Sequence, residues 1–240
     1  MKIGAAYARE RYERLSGRTQ SRFVVTLTRV LRKSNEGTHN SVQTNNASPH
    51  VGGMKRPILI VIDMLRDFLD AWPPDSRERL VQSTNKLVAL MRGHGHPVIW
   101  VRQEFEPDLR DAFLEMKIKR SPVTIRGTPG CQFVPELHVA PTDIVIVKKR
   151  YSAFFGTDLD DILANLRPDA IILAGINTHA CVRMTAIDAY QRDWSVVLAS
   201  ECVGSYDEEH QAITLRYLRG KIAKLMTLEE ICTSFDPVPA

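Results

Sequence analysis

The stretch "AIILAGINTHACVRMTAIDAY", residues 170–190, decides how this chain is read. A short apolar run enters Gly175, Cys181 stands six residues later, and a helical pattern follows. An apolar run of this length, stopped by glycine, is the pattern of a strand buried on both faces. A helix directly after it makes a strand–loop–helix unit. The free cysteine between the two has three readings: a small buried hydrophobe, a redox thiol or a nucleophile.

The same unit recurs along the chain. "PILIVID" (57–63) is a second continuous apolar run, and it ends in an aspartate. "RERLVQSTNKLVALMR" (77–92) sets Leu80, Leu87, Val88 and Met91 near one helical face, and the GHGH turn stops it. Further strands are expected at 97–101, 143–147, 169–174 and 195–200, with a short sixth near 221–226. Thr157 and Asp160 stand at capping-box spacing before one helix, and Thr227 and Glu230 before the last. Another helix is expected near 207–219. Alternating buried strands and helices predict a three-layer α/β/α fold, Rossmann-like, around a mostly parallel sheet of about six strands.

Composition bounds the function. The 240 residues suit one sizeable domain, residues 54–240. Residues 1–53 hold nine Lys and Arg against three Asp and Glu, a charge of +6. The remaining 23 basic and 25 acidic residues leave the rest at −2. The nearly neutral domain therefore predicts no nucleic-acid partner. Residues 1–53 read as a basic, low-order extension and linker, with the functional protein starting near Met54; an organelle transit peptide and a nucleic-acid arm are the competing explanations. No apolar run approaches the ~18 residues of a membrane span, so no membrane partner is expected. Four scattered cysteines without CxxC spacing predict a reduced, cytoplasmic setting.

In a parallel sheet, ligands bind beyond the carboxyl ends of the strands. Three reactive side chains fall there: Asp63, Lys148 and Cys181. Alone, each has a plainer explanation: a turn cap, a lysine emerging into solvent, a buried thiol. Together they are chemically coherent. The carboxylate can accept the thiol proton, and the ammonium and a helix N-terminus would lower the thiol pKa.

"VIDMLRDF" (61–68), "KKRYSAFFGTDL" (148–159) and "GINTHACVRMTAIDAY" (175–190) resemble the three signature segments of the isochorismatase-like cysteine hydrolases, and "GTPG" (127–130) with "PEL" (135–137) resembles their intervening loop. The resemblance covers about residues 56–235. It implies a catalytic triad of Asp63, Lys148 and Cys181, with Lys148 rather than its neighbour Lys149. It implies a cis peptide between Ile176 and Asn177, and an oxyanion hole from the backbone of Asn177 and Cys181. Members that cleave the vinyl ether of isochorismate typically lack the cysteine. Its presence therefore implies hydrolysis of a C–N bond in a small amide, ureido or carbamoyl compound, through a covalent acyl-enzyme.

The metal-binding members carry an Asp-x-His pair and a further histidine after the second strand. Residues 102–128 contain no histidine, so neither metal nor cofactor is expected; His94 and His96 read as turn residues. Phe68, Trp72, Phe105, Tyr151, Phe155 and His179 are candidates for the substrate pocket. Arg102, Arg126 and Arg150 are candidates for holding a substrate carboxylate. The resemblance also implies a homo-oligomer, dimer or tetramer. A non-catalytic binding protein and a redox sensor at Cys181 are the alternative functions.

Overall fold

A computed structural model describes residues 53–235. The expected extension lies outside these residues, apart from Gly53. The first strand, β1 (Pro57–Ile62), is buried at every position. It is followed by the single turn α1 (Arg66–Leu69), the long α2 (Pro74–Gly93), β2 (Val98–Gln103) and the short α3 (Leu114–Lys119). Then come β3 (Ile144–Lys148), α4 (Leu159–Leu166), β4 (Ala170–Ile176), α5 (Arg183–Tyr190) and β5 (Val196–Gly204). The described chain closes with α6 (Glu208–Leu218), β6 (Lys224–Met226) and α7 (Leu228–Ser234).

All six strands are parallel, in the order β3-β2-β1-β4-β5-β6. Successive strand residues face opposite sides, so β1 feeds two cores. Leu59 and Val61 pack with Leu80, Leu87, Val88 and Met91 of α2 and Ile231 of α7. Ile58, Ile60 and Ile62 pack on the other face with Leu159 and Leu163 of α4, Ala186 and Ala189 of α5 and Leu218 of α6. Two helical layers thus enclose a sheet whose central strands are apolar on both faces, which is why those strands read as unbroken apolar runs.

The strand order fixes the site. The chain builds outward from β1 to β3 and then returns to place β4 on the other side of β1. The crevice beyond the carboxyl ends of β1 and β4 is therefore the topological switch point.

Several sequence expectations are corrected. Asp158, without a side-chain cap, precedes α4, and no capping box forms at Thr157 and Asp160. The Thr157 hydroxyl instead donates to Ala153 O at 2.5 Å, closing the preceding turn. The box at Thr227 and Glu230 does form. β2 and β5 run further than their apolar cores suggest, to Gln103 and Gly204, and β6 is shorter.

Gly175 does not end β4 in a turn. The strand continues through it at a φ of 105°, and a Cβ there would lie 2.0 Å from Ile62 O. Glycine is required because the β1 backbone passes where a side chain would stand. Gly175→Ala is expected to destabilise the fold by about 3 kcal/mol, through positive φ and overpacking together. Urea unfolding showing a loss under about 1 kcal/mol would contradict this close approach.

Candidate active site

Asp63 follows β1 directly. Its N–H continues the ladder to Val101 O at 2.8 Å, but its φ is 54°, a conformation uncommon for a residue with a side chain. That twist brings Oδ1 to the Gln103 N–H at 2.7 Å. Lys148 ends β3, two strands away, and its side chain crosses over the end of β2. Its Nζ lies 2.7 Å from Asp63 Oδ2, 3.4 Å from Cys181 Sγ and 3.0 Å from Arg150 O. Asp63 and Lys148 are both fully buried, and Cys181 is buried with them.

Lys149, on the opposite face, turns away. Its Nζ reaches Glu104 O at 2.5 Å and Asp111 Oδ2 at 2.9 Å near the surface. The strand alternation thus separates the two lysines, and only Lys148 meets Asp63 and Cys181.

Cys181 does not open a regular helix. Thr178–Val182 forms one π-helical turn ahead of α5, and Cys181 is its fourth residue. The Ile176–Asn177 peptide leading into the turn is cis. Burial pushes the Cys181 thiol up, the Asp63 charge adds to this, and the Lys148 ammonium opposes it without prevailing. The expectation of a lowered thiol pKa is therefore corrected: desolvation outweighs the favourable neighbours, and the resting thiol carries its proton. For Lys148 the balance is reversed. Burial disfavours its charge, but the attraction of Asp63 and Cys181 prevails and raises its pKa.

The resting site thus pairs an ammonium with a carboxylate beside a protonated thiol. Asp63 Oδ2 makes the ion pair with Lys148 but no well-aligned hydrogen bond among the described residues, which leaves it able to accept a proton. Asn177 Oδ1 and Thr178 Oγ1, at the start of the turn that carries the thiol, are buried without a hydrogen-bond partner among the described residues.

The other candidates disperse. Phe105 is fully buried in a small separate core with Ala112 and Ile125, so it walls no open pocket. Phe68 and Trp72 pack, half-buried, against the core on the α2 side, with the Trp72 ring against Gly204. Tyr151 is half exposed against Phe113, and Phe155 is exposed. His179 Nδ1 lies 2.5 Å from Ser205 Oγ, with its ring against Tyr206 and His210, and burial lowers its pKa. The arginines are engaged within the protein: Arg102 with Glu104 at 3.0 Å, Arg126 with Glu106 at 2.6 Å, and Arg150 with the carbonyls of Asp111 and Lys149. His94 and His96 sit in the turn before β2, at the amino end of the sheet, against Phe235.

Some contributions were not visible in the sequence. The Gln103 N–H and the Arg150 carbonyl are backbone atoms, which no residue pattern announces, although Arg150 itself was a candidate for another role. Asp67 is different: its carboxylate accepts the Thr124 N–H at 2.7 Å and fills the space a Cβ on Gly130 would need. The glycine of "GTPG" and the second aspartate of "VIDMLRDF" were both in view, and their fit across the fold explains why they occur together.

The isochorismatase domain model matches residues 57–230. The chain belongs to the isochorismatase family. An uncharacterised isochorismatase family protein of Escherichia coli O157:H7, YecD, is 30% identical over 178 residues, covering 74% of this chain and 95% of that protein. Maleamate amidohydrolase of Pseudomonas putida is 27% identical over 169 residues, 68% of this chain and 79% of that one. Among solved structures, N-carbamoylsarcosine amidase from Thermoplasma acidophilum matches with a TM-score of 0.61 at 26% identity, covering 72% of this chain and 96% of that one. This is a family of hydrolases with amidases among its members. Among the described residues of this isochorismatase-family chain, no three His, Cys, Asp or Glu side chains are grouped to hold a metal ion, and no helix is long and apolar enough to cross a membrane.

Proposed function

We propose that the chain is a cysteine-dependent amidohydrolase acting on a small amide, ureido or carbamoyl compound. The observation that carries this reading is the buried Lys148 ammonium, held between Asp63 Oδ2 at 2.7 Å and Cys181 Sγ at 3.4 Å. Likeness to maleamate amidohydrolase and N-carbamoylsarcosine amidase supports the same class of bond.

The chemistry balances with these groups alone. Asp63 accepts the thiol proton as sulfur attacks the carbonyl carbon, so a thiol whose pKa is raised at rest is deprotonated only as it reacts. Lys148 compensates the charge on sulfur. The backbone N–H groups of Asn177 and Cys181 are assigned to the developing oxyanion. Collapse breaks the C–N bond, and Asp63 returns its proton to the leaving nitrogen. Water then attacks the thioester while Asp63 accepts its proton; the acid leaves and sulfur regains a proton. Asn177 Oδ1 and Thr178 Oγ1, a few residues before the cysteine in the chain and without a hydrogen-bond partner among the described residues, suit a substrate that carries N–H groups.

The test is a panel of small amides, ureas and carbamoyl acids, scored for ammonia release and for a mass adduct on Cys181 after acid quench. A substrate that releases ammonia and leaves its acyl mass on the peptide carrying Cys181 is expected. Turnover with the adduct absent under conditions that trap thioesters would sink the covalent route.

A further inference from the structure

The Lys148 ammonium is ion-paired with Asp63 Oδ2 and donates hydrogen bonds to Cys181 Sγ and Arg150 O. The third partner is set by an assembly outside the triad. The Arg150 guanidinium donates to Asp111 O at 2.9 Å and to Lys149 O at 2.6 Å, and it lies 5.1 Å from the centre of the Phe113 ring. Asp111 is fixed in turn: its carboxylate accepts the Glu106 N–H at 2.9 Å and pairs with Lys149 Nζ at 2.9 Å, while Lys149 also donates to Glu104 O. Residues 104–113 and the turn after β3 therefore form one polar clamp around Arg150.

We propose that Arg150 is a positioning residue for Lys148: its clamped guanidinium fixes the carbonyl that holds the ammonium between Asp63 and Cys181. This rests on the triad reading above. A lysine stem is flexible, so its charge is useful only where its last acceptor is rigid. Arginine suits the task because its planar fork can bond two carbonyls from different segments at once, while stacking on an aromatic face. Arg150 is thus turned inward to the site's own machinery rather than outward to a substrate carboxylate.

The test reads the thiol directly with iodoacetamide, resolved by peptide mass spectrometry because Cys232 is exposed. The charged groups that act on the Cys181 thiol are Asp63 and Lys148. In Arg150→Ala, a loosened ammonium stabilises the thiolate less. Cys181 should alkylate about tenfold more slowly at a given pH, and its pH profile should move up by about one unit. Arg150→Lys should fall between the two proteins. The buried Cys131 and Cys202 should stay as protected as in the parent, which separates this effect from loss of fold. A folded Arg150→Ala protein with the parent's alkylation profile would overturn the proposal alone. If that variant does not fold, Phe113→Leu, which keeps an apolar side chain against Phe105 and Tyr151 but removes the ring beneath the guanidinium, should shift the profile in the same direction by less; no shift there overturns it equally. If Cys181 in the parent alkylates no differently from Cys181 in Lys148→Met, the triad reading falls, and this proposal with it.

Discussion

Cys181→Ala protein should fold as its parent does and lose hydrolytic activity by about 10^4-fold or more, the scale seen when a catalytic nucleophile is removed from a triad. The two halves of this expectation have separate causes. Stability should change little, because the substitution removes one sulfur atom from a site where Lys148 keeps Asp63 at 2.7 Å and Arg150 O at 3.0 Å. A small buried truncation of this kind costs about 1 kcal/mol. Activity should collapse because neither Asp63 nor Lys148 can form the covalent intermediate. Cys181→Ser is a sharper version: it keeps a hydroxyl of similar shape, but an alcohol is far harder to deprotonate than a thiol, and Asp63 is matched to the easier task. Ammonia release and circular dichroism on the same preparations check both halves. A folded Cys181→Ala protein that still hydrolyses the identified substrate at more than about a hundredth of the parent rate would remove Cys181 from the mechanism.

How far this site could be read from the sequence depends on which atoms do the work. Asp63, Lys148 and Cys181 were legible because each follows an apolar run, and parallel strands place such ends on one edge. The fold was legible for the same reason: residues 57–62 and 170–176 are apolar on both faces because helices cover both. What escaped was set by contacts distant in sequence. Oδ1 of Asp63 is held by the Gln103 N–H, and any residue at that position except proline would offer the same donor. Phe105 looked like a pocket wall because it follows a strand, yet Ala112 and Ile125, from the long loop after it, enclose it. The Cys181 thiol was misjudged for a related reason. The ammonium and the helix start suggest stabilisation of the thiolate, but Cys181 is buried in the core on its face of the sheet, and that burial reverses the balance.

Lys148→Met should be the most damaging single substitution for stability among the site residues. Methionine fills much the same volume as the lysine stem, so packing is largely kept. What is lost is the counter-charge of a carboxylate that is itself fully buried. Removing one partner of a buried ion pair costs about 3–5 kcal/mol, because the remaining charge must stay desolvated or be discharged. Among the described residues, the Gln103 N–H is the hydrogen bond that the Asp63 carboxylate keeps. The deficit against the parent is measured by urea unfolding. Activity should fall about 10^3-fold or more, since the charge on sulfur is no longer compensated in a dry site. Lys149→Met is the control: its ammonium is a third exposed and pairs with Asp111 near the surface, so its loss should cost under about 1 kcal/mol. Equal costs for the two lysines would mean that Lys148 and Asp63 are not the buried ion pair on which the proposed mechanism depends.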